Sequence, residues 1–273
     1  MSEQVTRRTD IVYGTTDGPE LLLDLFLPSR ADGLRHGLVF VHGGGWRSGE
    51  RQAFHWHAEQ AALLGYVAAT VDYRLVPAAQ WPACFDDCQR AVRWLRHHAD
   101  ELSLDPTRLG AFGSSAGGHL VALLGTRDTR EDSDTELAGL SSRVQCVVDY
   151  HGVHDFPSLV DDEMTAEYCV PLFGGALGER RQQWEDASPS RFVDGESAPM
   201  LLFHDPGDPL VPYSQSVQLA TRLMEAARPV QFEPVPGAGH GFVYDPGNGW
   251  TQRTWPVALG WLARFLRPRD GES

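Results

Sequence analysis

Short apolar runs alternate with segments of helical periodicity along most of the chain. That alternation predicts a wound sheet with helices on both faces. Two early runs, residues 10–13 and 21–27, lie close together and are expected to pair as an antiparallel edge. Residues 38–41 are continuously apolar, the pattern of a strand covered on both faces. A helix is expected over 52–64, a strand over 67–73, and a long helix from Pro82 to about Leu102 with the proline in its first turn. Further strands are expected at 109–112, 144–150, 200–204 and 230–235. Helices should cover 116–124, 214–227 and 250–266. These runs add up to a mostly parallel eight-stranded sheet.

Two stretches fall outside this rhythm. Residues 127–142 are charged and irregular and read as a solvated surface excursion. The interval from His151 to Pro199 is too long for a bare loop and carries Phe156, Tyr168, Phe173 and Trp184 among helix-compatible segments. It is expected to hold a small cap, at about 152–187, inserted into a single domain spanning 1–273.

Glycine-rich turns interrupt the pattern after several of the strands. Gly113-Ser114-Ser115-Ala116-Gly117 follows one strand and opens a helix, matching G-x-S-x-G with Ser115 at its centre. A serine held on a strained strand-to-helix turn projects its hydroxyl above a sheet, and side chains at the flanking glycines would strike backbone. In a chain with 28 glycines the motif alone is weakly specific, so its context carries the weight.

His42-Gly43-Gly44-Gly45-Trp46 stands directly after the buried strand at 38–41. Consecutive glycines let backbone N–H groups approach a developing oxyanion, and the donors are assigned to Gly44 and Gly45, with Ala116 after the nucleophile. The spacing fits neither a P-loop nor G-x-G-x-x-G. His42 is read as shaping the loop, and Trp46 and Trp81 as lining the site.

A serine nucleophile needs a base, and the base needs a carboxylate to orient it. Of 11 histidines, His240 lies in the glycine-rich loop 237–242 after the last strand, where an imidazole can reach Ser115. His55 and His57 belong to a helix, and His97 and His98 look solvated. His151 and His154 have i, i+3 spacing, but no carboxylate pattern accompanies them as metal ligands. The acid comes from the loop after 200–204; Asp208 is preferred and Asp205 is held in reserve. The order Ser115, Asp208, His240 is the chain order of the α/β-hydrolase triad.

Composition narrows the partners. The formal charge is −14, and all 23 basic residues are arginine, so lysine chemistry is excluded. An acidic chain is a poor ligand for nucleic acid or anionic membrane. Cys84, Cys88, Cys146 and Cys169 have no zinc-like spacing, and the first two belong to a helical apolar stripe. Neither a cofactor nor a metal is expected. The first ten residues lack the basic-then-apolar pattern of a secretory leader, so the expected location is the cytoplasm.

These motifs resemble those of the HGGG-type carboxylesterases related to hormone-sensitive lipase, and within them the BD-FAE subgroup of feruloyl and acetyl-xylan esterases. The resemblance spans about 21–266 and rests on HGGGW at 42–46, DYRL at 72–75, WPACFDD at 81–87, FGSSAGGHL at 112–120, ASPS at 187–190, DPLVP at 208–212 and PGAGHGF at 236–242. It implies an α/β-hydrolase fold with Ser115 as nucleophile, Asp208 as acid, His240 as base, and Gly44, Gly45 and Ala116 as oxyanion donors. The family usually carries glycine then aspartate after the strand ending at His204; here Asp205-Pro206-Gly207 stands instead, with Asp208 still in register. The implied substrate is a small-molecule carboxylic ester of short-chain or aryl type. An arylformamidase-type amide hydrolase and a non-catalytic ligand-binding member of the fold are the alternatives.

Overall fold

A computed structural model describes residues 5–16, 18–29, 33–130, 134–160 and 162–266. Eight strands form one sheet: β1 (Val5–Gly14), β2 (Leu21–Pro28), β3 (Arg35–Val41), β4 (Val67–Val71), β5 (Leu104–Ser114), β6 (Cys146–Tyr150), β7 (Met200–His204) and β8 (Val230–Pro234). Their spatial order is β1-β2-β4-β3-β5-β6-β7-β8. β2 pairs antiparallel with β1 and β4, and every other pairing is parallel. The expected antiparallel edge and mostly parallel sheet are both present.

The helices are α1 (His55–Leu63), α2 (Ala83–His97), α3 (Ala99–Leu102), α4 (Ala116–Thr126), α5 (Val170–Phe173), α6 (Leu177–Asp186), α7 (Ser214–Glu225) and α8 (Gly249–Leu266). Side chains along a strand alternate between faces, so one continuous apolar run feeds two cores. Val39 and Val41 join Val67, Val71, Ala111 and Val147 beneath α2, α4 and α7. Leu38 and Phe40 point the other way, joining Ala68, Phe112 and Phe203 beneath α1 and α8. Each fully buried large side chain contributes about 1.5–3 kcal/mol, which anchors the sheet from both sides.

Three expectations change in detail. The helix expected over 52–64 begins as a 3-10 turn, Arg51–Phe54, before α1. Arg51 is buried there and pairs with Asp24 at 3.0 Å, and also with Asp10 and Asp72, so its side chain ties the edge ribbon to the loop after β4. The long helix expected to reach Leu102 pauses at His98, whose Nδ1 lies 2.9 Å from the Trp94 carbonyl and whose ring stacks on Trp94; Pro82 precedes its first turn instead of standing within it.

The stretch 127–142, of which 131–133 lie outside the described residues, is more anchored than a solvated excursion. Leu137 is buried, Arg127 pairs with Asp186 at 2.8 Å, and Asp128 accepts from the Ser142 N–H and the Ser141 hydroxyl.

The interval between β6 and β7 holds a 3-10 turn (Phe156–Leu159), a π turn (Thr165–Cys169), α5 and α6. Phe156, Phe173 and Trp184 from this interval pack into the same core as Trp46 and Trp81. Parallel β3, β5, β7 and β8 all end at one edge of the sheet, where ligands of open α/β sheets bind. The loops leaving those ends carry the candidate chemistry.

Candidate active site

Ser115 occupies the turn between β5 and α4 with φ 57° and ψ −121°, a strained conformation for a residue with a side chain. The turn is possible because its neighbours lack side chains. A Cβ on Gly113 would sit 2.3 Å from the Gly117 carbonyl oxygen, and one on Gly117 would sit 2.0 Å from the Val41 carbonyl oxygen. α4 therefore approaches β5 only with glycine at 113, and β3 only with glycine at 117. Ser115 keeps 9% of its surface, enough for its hydroxyl to reach the site.

The three residues from distant loops form one row. His240 Nε2 lies 2.9 Å from Ser115 Oγ, and His240 Nδ1 lies 2.8 Å from Asp208 Oδ2. Asp208 Oδ1 accepts the N–H groups of Leu210 and Val211 at 2.8 and 3.0 Å. Burial works to raise the Asp208 pKa, but contacts with His204 and His240, the charge of His240 and the Val211 N–H hold it far below the usual carboxylate range. Asp208 is therefore ionised at any working pH, and an ionised carboxylate fixes the proton of His240 on Nδ1.

Asp205, the reserve acid, does other work. Its carboxylate accepts the N–H groups of Gly207, Gly237 and Gly239 at 2.9, 3.1 and 2.6 Å. It clamps the loop that carries His240 to the loop that carries Asp208, and it is not the carboxylate that bonds the imidazole.

In the glycine loop after β3, the Gly43 N–H is already committed, donating to the Tyr244 hydroxyl at 2.7 Å. The N–H groups of Gly44 and Gly45 find no acceptor among the described residues. Ala116 opens α4, and the first N–H groups of a helix have no intrahelical acceptor. Gly44 has φ 114°, and a Cβ there would meet the Ser48 carbonyl at 2.2 Å, so the loop needs glycine at that point. The Tyr168 ring, from the interval between β6 and β7, lies directly against Gly45.

Trp46 and Trp81, expected to line the site, are packed instead. Trp46 is 1% exposed and donates its Nε1–H to His119 Nδ1 at 3.1 Å; Trp81 is 7% exposed and donates to Asp186 Oδ2 at 3.1 Å. His119 in turn donates from Nε2 to the Ala187 carbonyl at 2.7 Å, and burial pushes its pKa down to about 3 against that bond. The glycine loop is thus tied through Trp46 and His119 to the end of α6. His42 likewise serves the loop: its Nδ1 bonds the Gly43 carbonyl at 2.7 Å and its ring stacks on Tyr73.

His151 and His154 do not share a helix. His151 adopts φ 43° and turns towards His240, while His154 turns to Asp149. Among the described residues, one group of potential metal ligands has donor atoms within 4.8 Å of one another: His151, Asp208 and His240. Two of these bond each other in the row to Ser115, and His151 Nε2 already accepts the Gly241 N–H at 3.3 Å. Tyr168, Tyr244, His119 and His204 complete the site's surroundings, and nothing local in their sequence surroundings marks them.

The chain is similar to several known proteins. The BD-FAE family model matches residues 23–223. Esterase LipC of Mycobacterium tuberculosis is 32% identical across 95% of this chain, which spans only 64% of LipC's length. Ethyl acetate hydrolase of Pseudomonas putida is 30% identical, with 86% of this chain and 75% of that protein covered. The thermophilic esterase Est2 of Thermogutta terrifontis, solved with propionate bound, superposes with a TM-score of 0.83 at 28% identity, covering 98% of this chain and 97% of that one.

Proposed function

The chain belongs to the BD-FAE family of α/β hydrolases, and on that premise we propose that it is a serine carboxylesterase for short-chain or aryl carboxylic esters. The observation that carries the reading is the Ser115–His240–Asp208 row, both of whose links are shorter than 3.0 Å, beside two glycine N–H groups that have no acceptor of their own.

His240 takes the hydroxyl proton as Ser115 Oγ attacks the ester carbonyl. The charge that develops on the carbonyl oxygen is met by the N–H groups of Gly44, Gly45 and Ala116, each worth about 3 kcal/mol of barrier. Collapse expels the alcohol, which receives the proton from His240, and leaves the acyl group on Ser115. A water deprotonated by His240 then releases the acid. Asp208 holds the imidazole throughout and stays ionised.

Residues 152–187 act as a cap on a single catalytic domain. Tyr168 from this segment closes on Gly45, and a hollow of about 440 Å³ beside Asp208 is lined by Met164, Tyr168, Leu210 and Tyr213. Asp162, Glu163 and Glu167 share the hollow and disfavour esters that carry a free carboxylate. Est2 was solved with propionate and with butyrate, acyl groups of the proposed size. Among the described residues no helix is long and apolar enough to cross a membrane. Four buried free cysteines suit a reducing compartment, and the cytoplasm is the proposed location.

The test is turnover of p-nitrophenyl acetate and butyrate, with paraoxon, which phosphorylates Est2, as the covalent probe. Wild-type protein should turn over both esters and take up one diethylphosphoryl group at Ser115. Turnover by Ser115→Ala at the wild-type rate would defeat the reading.

A further inference from the structure

A buried histidine that takes no part in the proton transfers stands behind the acid of the triad. His204, the last residue of β7, lies with Nε2 3.0 Å from the Val211 carbonyl. Its Nδ1 lies 2.8 Å from the hydroxyl of Ser216, in the first turn of α7. The N–H of the same Val211 donates to Asp208 Oδ1 at 3.0 Å. His204 Nε2 also stands 3.5 Å from Asp208 Oδ2, the oxygen that bonds His240 Nδ1 at 2.8 Å. His204 and Ser216 are both fully buried.

Donor and acceptor roles place the proton of His204. A carbonyl oxygen can only accept, so Nε2 carries a proton, and Nδ1 faces the Ser216 hydroxyl. Pro212 follows Val211, and the peptide between them has no N–H, so its carbonyl is the group by which the loop can be held there. Turning the Asp208 carboxylate would carry Oδ2 away from His240. Oδ1 is held by the N–H groups of Leu210 and Val211. The protonated nitrogen of His204 stands beside Oδ2, where its partial positive charge favours the anionic oxygen.

We propose that His204 is a positioning residue for the triad: oriented by Ser216, it holds Val211, and through Val211 the Asp208 carboxylate, in the orientation that meets His240. This role rests on the esterase reading of Ser115, Asp208 and His240. His204 is sealed from solvent and acts through Asp208. The rings of Tyr213 and His151 pack around it at 5.5 and 6.1 Å, so an aromatic ring at this position keeps its packing when the polar bonds are removed.

The test is a double-mutant cycle on p-nitrophenyl butyrate, with rates per folded molecule counted by near-ultraviolet circular dichroism. His204→Phe keeps a ring in the core and removes both polar bonds. It should lower kcat about 10- to 30-fold with KM within about two-fold, since a carboxylate misplaced by part of an ångström acts on the transition state. His204→Gln, whose side-chain N–H can reach the Val211 carbonyl, should stay within about five-fold of wild type. Ser216→Ala leaves the Val211 bond in place and should cost about two- to four-fold. In an Asp208→Asn background, His204→Phe should cost less than about three-fold, because the group it positions is already lost.

Unchanged kcat in His204→Phe overturns the proposal. Equal impairment of His204→Gln and His204→Phe overturns it too. So does an undiminished loss from His204→Phe in the Asp208→Asn background, the mark of a merely structural role. Inactive Ser115→Ala beside unimpaired His204→Phe sinks the positioning role and leaves the esterase reading standing. Turnover by Ser115→Ala at the wild-type rate sinks both.

Discussion

Among the described residues, two aspartate–histidine pairs share a separation of 2.8 Å, and only one of them faces a serine. Asp208 and His240 meet at 2.8 Å with hydrogen-bond alignment, and His240 keeps 16% of its side-chain surface and presents Nε2 to Ser115. Asp149 and His154 also meet at 2.8 Å, but both are fully buried and their atoms are misaligned for a hydrogen bond. Asp149 stands on β6 against Gly118 and accepts the Gly152 N–H at 3.1 Å, holding the backbone beneath the nucleophile turn. His154 has no nucleophile in front of it. Separation therefore does not distinguish a catalytic dyad from a structural one; alignment, a free outer nitrogen and a serine in reach do.

The largest effect should come from breaking the outer pair. Asp208→Asn should lower kcat by about 10³–10⁴-fold, because the amide no longer holds the required tautomer, while the melting temperature stays within a few degrees. Stopped-flow kinetics beside a thermal melt checks both halves. The inner pair should answer in the opposite sense. Asp149→Asn should destabilise the fold by about 3 kcal/mol in urea titration, the cost of leaving a buried partner uncompensated, with kcat per folded molecule changed less than about three-fold. A large loss of kcat with intact stability there would erase the distinction.

A smaller effect tests the clamp between the two loops. Asp205→Asn should lower kcat by about ten-fold by loosening the His240 loop. Burial works to raise the Asp205 pKa, but three N–H bonds hold it below the ordinary value. Its stabilisation is therefore complete above the unfolded carboxylate pKa of about 4 and is lost as pH falls through the lower folded value. Stability of the variant measured from pH 6 to pH 2 should show a flatter acid limb than wild type. The smallest effect is expected from Trp46→Phe, which removes the donor to His119. One buried hydrogen bond is worth about 1 kcal/mol, and urea titration should register about that loss with only a few-fold change in kcat.

Much of this site was legible because its chemistry is written in short stretches. The glycines at 113 and 117 flank the one serine that can occupy a strained turn, and the clashes a Cβ would meet there are the physical content of that motif. His240 stood out because its loop follows the last strand. Asp208 and Asp205 differ in sequence only by reach, since either lies in the right loop; the fold gives three backbone N–H groups to Asp205 and the imidazole to Asp208. Trp46 and Trp81 misled for a related reason. Being beside a site in sequence does not say which way an indole points, and both turn into the core.

Local pattern was sufficient for the eight strands, the antiparallel edge and the strained turn at Ser115, because periodicity and backbone sterics act over a few residues. Which residues surround those groups was decided by tertiary structure alone. Tyr244 reaches Gly43 across 201 positions, Trp46 reaches His119 across 73, and Tyr168 meets Gly45 from a segment inserted far along the chain. A hydrogen bond depends on a few tenths of an ångström and an angle, and no spacing of residue types along a chain encodes those once the partners come from different strands of the sheet.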